Sequence, residues 1–165
     1  SFWFKKSQKI LSRSLLQISN LSLEDDRMET IDKLYATTLQ SHSLTHSRLK
    51  YLSTLAQTSE DHISRLALAL SISKSPPESN WTPTVYDSEK NLVTDIKGKH
   101  LRGRTLFKDD LELWMALLLR EQQPLDYEEW RLSFRLHWER GVEVLMGKAL
   151  DNGDWLRTMR ACIPA

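Results

Sequence analysis

The chain is short of the residues that build disulfide frameworks, metal clusters and turn-rich sheets. Cys162 is its one cysteine in 165 residues, so no internal disulfide and no cysteine zinc cluster can form, which fits a reducing, cytoplasmic setting. Glycine and proline number five each, too few for the many tight turns of a β-sandwich or barrel. No apolar run approaches the roughly 18 residues a bilayer span needs; Trp114 to Leu119 is a core segment at most, and no membrane partner is expected. An excess of one charge is missing as well, with 23 Lys and Arg against 22 Asp and Glu and a net charge of +1. A nucleic-acid partner would therefore require cations gathered on one surface.

Signatures of catalysis are equally scarce. There is no Gly-rich phosphate loop, HExxH sequence or nucleophile elbow. Cys162 has no basic neighbour closer than Arg160 and reads as an inert thiol. His42 and His46 stand four apart, a metal-binding interval on a helix, but no third ligand is near and the local pattern favours a strand. Neither an enzyme, a cofactor nor a metal site is expected.

What the sequence has is helical periodicity. Apolar residues make up 40% and charged residues 27%, and a chain of this length can bury about 68–70% of its unfolded surface around one core. The clearest helix follows Pro124 and runs to Leu150. Asp126 and Glu129 form a capping pair at its start. Trp130, Phe134, His137 or Trp138, Gly141 and Leu145 then recur at spacings of three and four, which predicts a buried face, with Glu128, Arg131, Arg135 and Glu139 wet. Glycine inside a helix costs about 1 kcal/mol relative to alanine, so Gly141 implies that another backbone passes close by.

Residues 1–20 carry Lys5, Lys6, Lys9 and Arg13 without an acid, among Phe2, Phe4, Ile10, Leu11, Leu15 and Ile18. This pattern reads as a basic amphipathic helix that covers the domain as an arm, resembles a transit peptide, or contacts nucleic acid or a membrane. A second helix is expected from Ser22 to about Gln40, with Met28, Ile31, Leu34 or Tyr35 and Leu39 on one face, so that residues 1–40 form an N-terminal helical extension. Ser41 to Thr45 break the pattern and suggest a short edge strand. Two helices follow, one through Leu49, Leu52 and Leu55 to about Gln57, the other capped by Thr58 or Ser59 and carrying Ile63, Leu66, Ala67 and Leu70. Pro76, Pro77 and Pro83 exclude a helix across residues 74–95, where Trp81, Val85, Tyr86, Leu92 and Val93 offer something to bury. Asp109 with Glu112 marks another helix start, and residues 151–165 form a tail with room for a short docking helix.

The run Phe134-Arg135-Leu136-His137-Trp138-Glu139-Arg140-Gly141, of the form F-R-L-H-x-x-R-G, resembles the C-terminal helix of the DndE family of bacterial DNA sulfur modification. The resemblance extends back through Thr105-Leu106-Phe107 and the Leu111 to Leu119 helix to about residue 41, so it covers residues 41–150. It implies a mainly α, ribbon-helix-helix-like domain with short strands, assembled as a homo-oligomer, a tetramer. It further implies a DNA-binding accessory protein of phosphorothioation that prefers nicked duplex and works with sulfurtransferase and ATPase components without transferring sulfur itself. Within the motif Phe134, Arg135, His137, Arg140 and Gly141 are structural, with Arg135 and Arg140 as suited to intramolecular or intersubunit ion pairs with acids such as Glu139 or Glu143 as to contact with DNA.

The candidate DNA-contacting residues come from the sequence itself. Lys97, Lys99, Arg102, Arg104 and Lys108 lie in an acid-free run, and Gly98 and Gly103 within it allow a close backbone approach. Arg48 and Lys50 form a second patch. Five phosphate contacts would make log K fall with log salt at a slope near −4.5. Base reading from the strand would need suitable side chains, and only Gln40 and Ser41 offer themselves there. The competing expectation is a helical protein-interaction module that docks a partner through Trp130, Phe134 and Trp138.

Overall fold

A computed structural model describes residues 23–164; the basic segment 1–20 lies outside the described residues. Among the described residues the fold is mainly α with one two-stranded antiparallel sheet. Along the chain come α1 at residues 23–36, β1 (Thr38–Gln40), α2 (Ser43–Ala56), α3 (Glu60–Ile72), β2 (His100–Arg102), α4 (Gly103–Phe107), α5 (Leu111–Leu118), α6 (Tyr127–Asn152) and α7 (Trp155–Cys162).

Helix α6 is the axis of the molecule. Its first turn is closed by the Asp126 carboxylate, which accepts from Glu129 N at 2.9 Å, while Glu129 reaches back to accept from Leu125 N at 2.6 Å. It stops at Gly153, whose left-handed φ of 79° turns the chain out and whose N–H donates to Ala149 O at 2.9 Å. Trp130, Phe134, His137, Trp138, Gly141 and Leu145 are all buried, as their spacing predicts. Leu136, Val142 and Met146 are buried too, because α2, α3 and α7 pack on different sides of the helix. That encirclement overturns one expectation: Glu139, placed among the wet residues, is fully buried.

The α3–α6 contact depends on Gly141. A Cβ there would overlap the carbonyl of Ala67, so the two helix backbones meet at these residues, as glycine in mid-helix implied. Around this crossing Phe107 meets Phe134 edge-on at 4.7 Å, and Trp130 stacks on Phe134 at 5.9 Å. Leu34 of α1 and Leu39 of β1 belong to the same apolar cluster, and Trp155 and Met159 place α7 against it.

Two local expectations shift. The helix expected to reach Gln40 ends at residue 36, and the strand expected at Ser41 to Thr45 lies at Thr38–Gln40. His42 is instead the N-cap of α2 and Thr45 lies in its first turn. The cause is long-range: β1 pairs with β2, with Thr38 opposite Arg102, Leu39 opposite Leu101 and Gln40 opposite His100. The ribbon is therefore completed within one chain, with Leu39 and Leu101 turned inward and the other four residues outward. At α5 the N-cap is Asp110, whose side chain makes no capping bond, in place of the expected Asp109 pairing. Ser59 caps α3 by accepting from His62 N at 3.1 Å.

Candidate nucleic-acid interface

Residues 73–99 contain turns and bends only. Val85 and Val93 are exposed, so polar side chains hold this loop more than apolar ones do. Arg48 is the chief of these. Its Nε and Nη2 donate to the two oxygens of Glu89 at 2.9 and 2.6 Å, Nη1 donates to Glu143 at 3.0 Å, and Nη2 also reaches Thr84 O. Glu143 in turn accepts from Thr84 N at 2.6 Å, and the Tyr86 ring lies 5.3 Å from the guanidinium. Burial works against the Arg48 charge, but the hydrogen bonds and fields of Glu89 and Glu143 outweigh it and hold the pKa above its ordinary value. Arg48 is fully buried and cannot touch DNA; it is a clamp between α2, α6 and the loop.

The second cation of that patch is also engaged. Lys50 Nζ lies 3.5 Å from Glu60, and Lys99, from the basic run, lies 3.5 Å from Glu60 and 3.4 Å from Asp61 with a side chain only 17% exposed. His46 joins the same group, with Nδ1 2.7 Å from Lys97 O and Nε2 3.1 Å from Glu60. Lys99 and Lys50 are thus neutralised by the acids that open α3. Lys97, Arg102, Arg104 and Lys108 differ: they are exposed, and no ion pair to any of them occurs among the described residues. Arg104 lies over the Tyr35 ring at 5.5 Å, and together with Arg102, Ala36 and Thr38 it borders a shallow cavity of about 320 Å³. The close approach permitted by Gly98 and Gly103 is to the chain itself, since a Cβ at these positions would overlap Ser41 O and Leu34 O.

The motif on α6 is a set of internal contacts. Arg135 pairs with Glu139 at 2.8 Å. Arg140 finds no acid among the described residues; it donates from Nε to Ser71 Oγ and from Nη2 to Ser71 O, both at 2.9 Å, at the end of α3, and burial lowers its pKa. His137 lies 2.9 Å from Ser71 Oγ through Nδ1 and 2.7 Å from Gln122 Oε1 through Nε2. A neutral ring that donates from Nε2 and accepts at Nδ1 satisfies both contacts. Burial first, and Arg140 second, push its pKa down to about 4.

Glu139 is the functional residue that periodicity missed. It accepts from the backbone N of His42 at 2.7 Å and from Thr45 Oγ1 at 2.8 Å, and its two oxygens lie 3.1 and 3.2 Å from His42 Nδ1. Helix α2 has no side-chain cap of its own; a carboxylate from α6 supplies one. The available signal was the pair Glu139 and Glu143, one turn apart and in step with buried neighbours. Trp130, Phe134 and Trp138 are buried in the core, so a partner cannot dock on them. Cys162 is half-buried and burial raises its pKa.

Among the described residues no group of three or more His, Cys, Asp or Glu is placed to hold a metal ion, and no helix is long and apolar enough to cross a membrane. No family model, curated protein or solved structure matches the chain.

Proposed function

We propose that this protein is a cytoplasmic, non-catalytic DNA-binding accessory protein of the DndE type, which holds duplex or nicked DNA for the sulfurtransferase and ATPase of bacterial phosphorothioation. The observation that carries the reading is a set of four exposed cations, Lys97, Arg102, Arg104 and Lys108, on and around β2 and without an acidic partner among the described residues. In a chain of net charge +1, acids elsewhere neutralise the other members of both basic patches and leave these to face an anion. The run supports it through His137, Arg140 and Gly141, which lock α6 to α3, and through Glu139 at one of its open positions, which locks α6 to the start of α2.

Self-association belongs to the same reading. Leu119 and Leu125 are exposed beside a cavity of about 340 Å³ between α1 and α5 that is also lined by Leu23 and Ile31. Apolar surface of this kind favours contact with a second copy, and a homo-oligomer, a tetramer in the DndE pattern, repeats the cationic face.

Gel-shift titrations with intact and nicked duplex at 50 and 200 mM salt test the proposal. Three or four phosphate contacts predict a slope of log K against log salt between about −2.7 and −3.6, and a loss of roughly 10²-fold across that interval. Absence of binding at both salt concentrations would refute it.

A further inference from the structure

We propose that the outward face of the β1–β2 ribbon reads base edges in the major groove of duplex DNA, through Gln40, His100 and Arg102 with Thr38 beside them. The inference rests on the DNA-binding reading above and adds sequence discrimination, carried by residues other than the phosphate-binding lysines.

Strand alternation sends Leu39 and Leu101 into the core and leaves Thr38, Gln40, His100 and Arg102 exposed. The register sets Gln40 opposite His100 and Thr38 opposite Arg102, so four polar side chains form a two-by-two array. Paired Cβ atoms in such a ribbon are about 5 Å apart and successive outward residues about 7 Å apart, close to two base-pair steps. The major groove, about 12 Å wide, admits a two-stranded ribbon. The residue types suit base reading, since the Arg102 fork matches guanine O6 and N7, the Gln40 amide matches adenine N6 and N7, and His100 and Thr38 can donate or accept.

None of these four side chains makes a hydrogen bond or ion pair among the described residues, whereas the neighbouring Ser41 and Lys99 side chains are both engaged. The array is also held rigidly. Ser41 N donates to Lys99 O at 2.9 Å and Gly103 N to Thr37 O at 2.8 Å. Arg131 of α6 donates to Thr37 Oγ1 and Thr38 O, and Tyr127 donates to Thr37 Oγ1. No acid occurs within residues 37–42 or 97–105. Lys97 precedes β2 and Arg104 follows it, so a cation stands at each end of the array to meet the phosphates that wall the groove.

Selection from a pool of randomised duplexes tests this with the full chain, its Gln40→Ala and Arg102→Lys variants, and Lys108→Ala as a phosphate-contact control. The wild type should enrich a short common core. Gln40→Ala and Arg102→Lys should each relax one position by about 10- to 100-fold in discrimination, Arg102→Lys keeping its charge and most of its overall affinity. Lys108→Ala should weaken all sequences alike. A wild type that binds but enriches nothing, or ribbon variants that keep the wild-type preference, would overturn the ribbon assignment and leave the DNA-binding proposal standing; a wild type that binds no duplex would overturn both.

Discussion

His137 is buried between Ser71 and Gln122 with the Arg140 guanidinium near, and its pKa of about 4 against an ordinary 6.5 makes it a stability determinant. Between those values the unfolded chain binds a proton that the folded chain refuses, so stability falls as pH drops from about 6.5 to about 4 and is unaffected above that window. At pH 4.5 the loss is about 2–3 kcal/mol at most. Urea unfolding at pH 7.5 and 4.5 should show that slope in the wild type and a shallower one in His137→Gln. Glycines give a paired prediction. Gly141→Ala must push against the Ala67 carbonyl and should cost at least about 2 kcal/mol. Gly147→Ala has open space around it and should stabilise the helix by up to about 1 kcal/mol, both measured by the same unfolding curves. A histidine on an apolar face signals a core position, as at His137, whereas a glycine in mid-helix marks a close approach at Gly141 and none at Gly147. Glu139 and Arg48 were not legible, because charge alone predicts a wet surface until three packed elements are known to supply their partners.

At the scale of elements, the start of α6 and its main buried face were readable because the Asp126 cap and the apolar spacing agree, while its end at Asn152 and the burial of Glu139 were not. The ribbon was only partly readable: β1 and β2 have three residues each and are separated by two helices and a loop, so the pairing that fixes them leaves almost no local mark. What the loop at residues 73–99 does was hidden for the same reason. Its fixed point is the Arg48, Glu89 and Glu143 cluster. Arg48→Met leaves two buried carboxylates unpaired and should cost about 3–5 kcal/mol, with faster hydrogen exchange at Thr84 and Tyr86. Adding Glu89→Gln and Glu143→Gln should recover a large part of that loss. If Arg48→Met proves neutral and loop exchange is unchanged, the clamp has been misassigned.

For the whole molecule the governing quantity is where charge is spent rather than its sum. Acids on α3, α6 and the long loop neutralise Arg48, Lys50 and Lys99, and the members of the two basic patches left without acids among the described residues, Lys97, Arg102, Arg104 and Lys108, lie on and around β2 and α4. The sequence marked the basic run as the region of interest but could not say which of its members were already paired. The most direct test is therefore the salt dependence of duplex binding in single variants. Lys108→Ala and Arg104→Ala should each reduce the slope of log K against log salt by about 0.9, while Lys99→Ala should leave it unchanged. Equal effects from all three, or no effect from any, would contradict the account.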